Sequence, residues 1–455
     1  MDETPRLARF IHAMADFPHA ALRTALCAAL ILAAPAPARS QLGPPGGLAA
    51  PLLPRVTGVL AGALDPVTGL PLLAEAPRLA GVADLRRLQV DRLLRRNRRV
   101  LEPDPQGEPV VRGRVLAVSP TRAALAAAAA AGFAVAGEVL LEDLQLRVVT
   151  LEAPPGLSTR AALDRLRRLD PGGAYDFDHV FLGGGVVTPG AGPAGPKGGE
   201  AGPAPRGAAA GLVDTGVAVG HPALRGLHVE QRGFAPGGVK AAAHGTAVAS
   251  LLAGTAAEGP PPPRSLLAAD VYGSGPTGGS VDGIVAALGW MAKERVAVVN
   301  VSLVGPANAV LGAVVAAMLR RGQLIVAPVG NDGPAAPPLY PASYPGVIAV
   351  TAVDPRRRLL VEAGRAGHVD FAAPGAGLLA AQAGGGYGGV RGTSFAAPLV
   401  ARALAAQLAA QPASAPPAAA VSALAREALD LGRPGPDPLY GRGLVGAGFR
   451  LRTGS

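Results

Sequence analysis

From Ala208 onward, short apolar runs alternate with stretches of helical spacing. Gly211–Asp214, Leu266–Val271, Val296–Ser302, Leu324–Ala327 and Val347–Ala352 are brief and almost wholly apolar, as strands buried on both faces are. Between them, Thr246–Leu252, Val281–Lys293 and Val310–Arg321 carry the 3.6-residue period. The alternation predicts an α/β architecture, an open parallel sheet with helices on both faces. Chemistry in such sheets gathers beyond the carboxyl ends of the strands.

A different pattern precedes it. Arg114–Ser119, Phe133–Leu140, Leu144–Leu151 and Tyr175–Leu182 read as strands. Pro120–Gly132 and Ser158–Leu169 read as helices, the second with Ser158 as its cap. The order β-α-β-β-α-β over 112–183 predicts a small ferredoxin-like α+β domain. Residues 184–206, rich in Gly and Pro, are expected to be a flexible linker, and 207–455 the larger domain. Residues 39–111 are expected to be irregular except for a basic helix over 81–101, its leucines packed and its arginines solvated. Residues 1–38 have the order of a secretory signal: Arg6, Arg9 and Arg23, the apolar run Ala25–Ala34, then Ala36-Pro37-Ala38. That run is too short to span a bilayer, so export to the periplasm or medium without a transmembrane anchor is expected.

Composition narrows the function. With 49% hydrophobic and 16% charged residues among 455, the chain can bury a large core. Its net charge of +10 would suit an acidic partner, but only 4% of residues are aromatic and no nucleic-acid motif accompanies the charge, so no nucleic-acid partner is expected. The single cysteine, Cys27, excludes a disulfide framework and a cysteine zinc site. No cofactor is implied.

Three segments sit where strand-end chemistry belongs: Asp214-Thr215-Gly216, His244-Gly245-Thr246, and Gly392-Thr393-Ser394. A serine hydroxyl needs a base within reach and a third group to orient that base. Asp, His and Ser in this chain order are one known solution. Asn331, after Gly330, can donate an amide hydrogen to an oxyanion, as can the Ser394 backbone N–H at a helix start. Any one of these four residues alone is more simply a cap or turn residue; together they argue for a nucleophilic site.

With these motifs, the chain from about Ala208 to Ala447 resembles the subtilisin-type (subtilase, S8) serine peptidases. Asn300-Val301-Ser302-Leu303, Tyr340-Pro341-Ala342-Ser343, Ala373-Pro374-Gly375 and Tyr440-Gly441-Arg442-Gly443 also fit the family. The resemblance implies a serine endopeptidase acting on polypeptides through an acyl-enzyme. Ser394 would be the nucleophile, His244 the base, Asp214 its orienting carboxylate and Asn331 an oxyanion donor. It implies substrate held as an added strand between Tyr272-Gly273 and Ser302-Leu303-Val304-Gly305. It also implies that the α+β domain is a prodomain, an intramolecular inhibitor and folding aid.

Departures from the family pattern bear on specificity. Val304 stands where glycine is usual and would narrow the pocket for the residue before the cut. Pro328 and Val329 replace small alanines, and Phe395 and Leu399 replace common Met and His. The proline-rich 256–264 offers only Glu258 as a carboxylate, so no metal site is expected. The alternative is a catalytically disabled subtilase-fold module that only binds peptides; Val304 and Pro328 are its support.

Overall fold

The computed structural model describes residues 82–188, 209–255 and 257–451. The export signal at 1–38, the irregular stretch before residue 82 and most of the linker lie outside these residues. The described residues all fall within one unit, Leu60–Ser455.

The chain begins with helix α1 (Val82–Arg96), followed by β1 (Leu101–Pro103), β2 (Pro109–Val118), α2 (Arg122–Ala130), β3 (Ala134–Leu141), β4 (Leu146–Glu152), α3 (Thr159–Leu169) and β5 (Ala174–His179). Thr121 and Ser158 accept from Ala124 N and Ala161 N, capping the two helices of this unit. The strands form an antiparallel sheet in which β2 lies between β4 and β5, β3 is beyond β4, and β1 pairs with the first residues of β2. This sheet therefore begins inside the stretch expected to be irregular. Its strand at Pro109 was hidden by the neighbouring charges and prolines. One face carries its own core, Val115, Val149, Leu163, Leu166 and Phe177 among others, under α2 and α3.

The larger domain contains β8 (Ala209–Asp214), β9 (His228–Gly233), α4 (Ala243–Ala253), β10 (Ala257–Glu258), β11 (Ser265–Asp270), α5 (Val281–Lys293), β12 (Val298–Val301), β13 (Leu303–Val304), α6 (Ala309–Arg320), β14 (Leu324–Pro328), β15 (Ile348–Val353), β16 (Phe371–Pro374), β17 (Leu378–Ala381), β18 (Tyr387–Arg391), α7 (Thr393–Ala410), α8 (Pro417–Glu427) and β19 (Arg450–Leu451), after β6 (Leu182–Gly183) and β7 (Val186–Val187). Seven of these strands form a parallel sheet in the order β16-β15-β14-β12-β8-β11-β9. Its middle strands are buried on both sides, which is why they read as unbroken apolar runs. α4 and α7 pack on one face, and α5 and α6 on the other. Helix α7 is apolar and long enough to cross a membrane by composition, but it is mostly buried here as a core helix.

The second face of the small sheet has no helix of its own. Leu116, Leu141, Leu144 and Val148 instead join the core formed by α5 and α6. Strand β5 adds polar contacts at the starts of both helices. Asp176 accepts from Ala309 N at 2.6 Å, and Asp178 accepts from Asp282 N at 3.1 Å. Carboxylates are stabilised at helix N-termini, where unpaired N–H groups converge. Asn308 also donates to Phe177 O at 2.9 Å.

Two expectations about the connecting segment need correction. The strand expected over Tyr175–Leu182 stops at His179, and Leu182–Gly183 pairs antiparallel with Leu303–Val304. The linker expected from residue 184 starts later, because Val186–Val187 pairs with β18. Each pairing is made to a distant strand edge, so neither is visible in local composition. The basic helix also differs from expectation at Arg86, which is largely buried and bonds both oxygens of Glu108 at 2.6 Å. Its Nε lies 3.3 Å from Asp332, whose carboxyl is pushed up to about 6, chiefly by burial and against the pull of Arg86.

Candidate active site

The sheet brings the four candidate side chains to its carboxyl end. Asp214 is the last residue of β8, an inner strand of the parallel sheet. His244 lies in the first turn of α4, which starts three residues earlier than its periodicity suggests. Ser394 is the second residue of α7. Asn331 follows β14 by three residues.

Asp214 and His244 are both buried, and His244 Nδ1 lies 2.8 and 2.9 Å from the two oxygens of Asp214. The carboxylate is held by the Thr215 backbone N–H at 2.6 Å. Thr215 in turn accepts from Gly245 N at 2.8 Å, tying the end of β8 to the start of α4. The imidazole is thereby fixed in orientation by its carboxylate and its helix together.

His244 Nε2 lies 3.0 Å from the carbonyl oxygen of Gly184. Both ring nitrogens thus face oxygen acceptors. Ser394 Oγ is buried and has no hydrogen-bond partner. Asn331 is oriented by Thr393, whose N–H and hydroxyl both approach its Oδ1, at 2.9 and 3.1 Å. That leaves Asn331 Nδ2 buried and unpartnered. A Cβ added to Gly184 would sit 2.9 Å from this Nδ2 and 3.3 Å from Ser394 Oγ. One added to Gly183 would sit 3.9 Å from the His244 ring. The structure therefore brings His244, Ser394 and Asn331 around a single residue, Gly184: His244 at its carbonyl oxygen, Asn331 and Ser394 on the side where a Cβ would project.

The segment bearing that carbonyl lies between the two edges named for substrate. On one side β6 pairs with Leu303–Val304. On the other, Val180 bridges Ser280, Phe181 N donates to Gly279 O at 2.8 Å, and Tyr272 OH donates to Phe181 O at 3.0 Å. Gly273 belongs to the turn after β11 that shapes this side, and its N–H is held by Asp270. Ser302 accepts from Asn300 Nδ2 at 2.7 Å and donates to Ser394 O at 3.2 Å. Gly305 exchanges backbone bonds with Tyr340 and packs against Phe181.

Several positioning residues were missed from sequence. Asp270 accepts from Lys240, Tyr272 and Gly273 backbone N–H groups and so shapes the edge turn. Thr393 orients Asn331. An acid at a strand end and a threonine before the serine were visible, but nothing local shows which distant groups they hold. His221 is structural: its Nδ1 caps Ala223 N, its Nε2 meets Gly386 O at 2.8 Å, and burial lowers its pKa.

Residues 206–443 match the subtilase family. Subtilisin E from Bacillus subtilis is 32% identical over 207 residues, covering 42% of this chain and 53% of that protein. The major intracellular serine protease of the same species is 31% identical over 209 residues, covering 42% of this chain and 66% of its own length. The chain thus spans between about half and two thirds of these curated relatives. Among solved structures, fervidolysin from Fervidobacterium pennivorans, described as a keratinolytic enzyme related to subtilisin, aligns with a TM-score of 0.61 and 21% identity. That alignment covers 76% of this chain and 61% of fervidolysin, and it shows the shared fold. With the match at 206–443 extending over more than half of its residues, this chain belongs to the subtilase family.

Proposed function

We propose that the protein is a serine endopeptidase acting on polypeptides, with Ser394 as nucleophile, His244 as base, Asp214 as orienting carboxylate and Asn331 as oxyanion donor. One observation carries this reading. His244 binds Asp214 through one nitrogen and the Gly184 carbonyl through the other, while the unpartnered Ser394 Oγ and Asn331 Nδ2 face the same glycine. In turnover, Ser394 attacks a carbonyl carbon as His244 takes its proton, and the proton then passes to the departing amine. Asn331 Nδ2 receives the negative oxygen, its carboxamide already oriented by Thr393. The idle state of Ser394 does not favour the disabled-module alternative, because the Gly184 carbonyl occupies the nitrogen the serine would use.

A fluorophosphonate probe should label Ser394 in processed protein; folded, processed protein that resists labelling would refute the assignment. Asn331→Ala should lower kcat by about 10²–10³ with little change in KM, a scale itself measured on a subtilisin. Steady-state kinetics on a short peptide would read this.

In the same reading, residues up to Gly184 act as an intramolecular inhibitor, because they fill the cleft as substrate would. In this docked state the Gly184 carbonyl occupies the His244 nitrogen that would receive the Ser394 proton. Export, suggested by residues 1–38, belongs to this proposal too.

Docking of the inhibitor should depend on pH through Asp178. Burial, with the charge of Asp282 beside it, pushes the Asp178 carboxyl up to about 7. The Asp282 N–H and the charges of Arg114 and His179 only partly oppose this. A carboxyl that keeps its proton only when docked stabilises docking at acidic pH, and that stability is lost as pH rises from the ordinary carboxylate range to about 7. Asp178→Asn should flatten this dependence. Release of the N-terminal unit, followed between pH 5 and 8, would check the sign.

A further inference from the structure

We infer that this peptidase cuts between two glycines in extended segments carrying an aromatic residue three places before the first glycine, and that its own Gly184–Gly185 bond is such a site. The inference rests on Ser394 being the nucleophile and adds the substrate class.

Gly184 is the residue that meets all three groups, His244 at its carbonyl oxygen and Asn331 and Ser394 beside its Cα, so the bond that follows it is the one placed for attack. At Gly184 a Cβ would press on Asn331 Nδ2 at 2.9 Å. That atom is not free to retreat, because Thr393 fixes the other end of the carboxamide. Displacing it would also disable the oxyanion donor. At Gly185 the restriction is stronger. Its φ is +115°, which L side chains rarely adopt, and a Cβ would lie 2.6 Å from the Phe395 ring and 3.0 Å from Arg391 O. Gly392 approaches from the other side, with its own Cβ position 2.7 Å from Gly185 Cα. Gly183 differs, since a Cβ there meets only ordinary contacts. The requirement is therefore for glycine on each side of the bond, not for a glycine-rich stretch.

Two further positions are read. Phe181 is fully buried, its ring against Gly305, so the cleft holds an aromatic side chain there. Val304, buried on the strand that pairs with Leu182, adds a branched side chain to the gripping edge. Beyond the bond, Val186–Val187 pairs antiparallel with β18 and holds the departing side in line.

For the cut, the Gly184 carbonyl must leave His244 Nε2 and turn toward Asn331 Nδ2. Ser394 Oγ then adds to the carbonyl carbon and gives its proton to His244. The bond to Gly185 N breaks as that proton reaches the amine. Water hydrolyses the ester, leaving Gly184 as a carboxylate and restoring the serine.

The test uses processed wild-type enzyme and the peptide Phe-Leu-Gly-Gly-Gly-Val-Val. Cleavage should fall between its second and third glycines by mass spectrometry. Valine or phenylalanine in place of either of those two should lower kcat/KM on the order of 10²-fold or more. Alanine in place of the first glycine should be tolerated. In the full chain, the wild-type product should begin at Gly185, and Gly184→Val should prevent its appearance. A different new N-terminus, or peptides with phenylalanine before the cut being cleaved as well, would overturn the inference. If fluorophosphonate still labels Ser394 in that case, the serine assignment survives and only the glycine requirement fails. Loss of both labelling and cleavage would sink the two together. The peptide series needs no variant enzyme, so misfolding of Gly184→Val would not obscure the result.

Discussion

Ser394→Ala is expected to leave the chain uncut and to reduce peptide hydrolysis by a factor on the order of 10⁶, a scale set by measurements on a subtilisin. The substitution removes one oxygen at the start of α7. That oxygen is buried without a hydrogen-bond partner, so its loss breaks no bond of the folded protein. Deleting an unsatisfied buried hydroxyl is near neutral or slightly stabilising. The Asp214–His244 pair and the docked Gly184 carbonyl should be untouched. The result should therefore be an inert full-length protein that melts at or slightly above the wild-type temperature. Gel analysis after expression and a thermal melt read both halves. Hydrolysis retained at wild-type rate would remove Ser394 from its role. A melting temperature lowered by many degrees would show that the hydroxyl is structural.

The central strands were legible because burial on both faces leaves no alternation to confuse; Val281–Lys293 fell at the very residues its apolar spacing marks. The meeting of the candidate residues at one sheet end was legible for a related reason. Parallel strands end on one side, so Asp214, Asn331 and the turns after β11 and β12 had to converge there. What escaped was structure made by partners far away in sequence. His228–Gly233 is a polar edge strand, half exposed along most of its length. Tyr387–Arg391 carries two glycines and becomes a strand through pairing with Leu378–Ala381 on one side and Val186–Val187 on the other. A glycine-rich run there reads as a turn, and the turn is in fact only its first half, at 383–386. The same holds for Arg86 and Asp178. Their burial depends on partners far away in the sequence, Asp332 for Arg86 and Asp282 for Asp178, and no local pattern records it.

Phe181 is the deepest anchor of the tail before Gly184, and Phe181→Ala should release the N-terminal unit more than any other single change in that tail. The ring is fully buried in the core shared with Tyr272, Val301 and Leu303. Gly305 leaves the space it fills, since a Cβ there would fall 2.6 Å from the ring. Its backbone is bonded on both sides, to Gly279 O and by Tyr272 OH. Alanine would keep those bonds and lose the ring. Truncating a buried phenylalanine costs about 3–5 kcal/mol, which corresponds to roughly two to four orders of magnitude in affinity. The main-chain ladder Leu182–Val304 and Gly183–Leu303 would remain, but backbone pairing alone is exchangeable with water and adds little net stability. After the chain is cut, the variant complex should therefore yield active enzyme at concentrations about 10²–10⁴-fold higher than those at which the wild-type complex dissociates. Activity followed against dilution reads this directly. Leu88→Ala, a change at a half-exposed residue of α1, serves as control and should shift the curve by less than about 0.5 kcal/mol. Equal curves for Phe181→Ala and wild type would mean that docking is carried by the sheet face on α5 and α6, with the tail merely following it into the cleft.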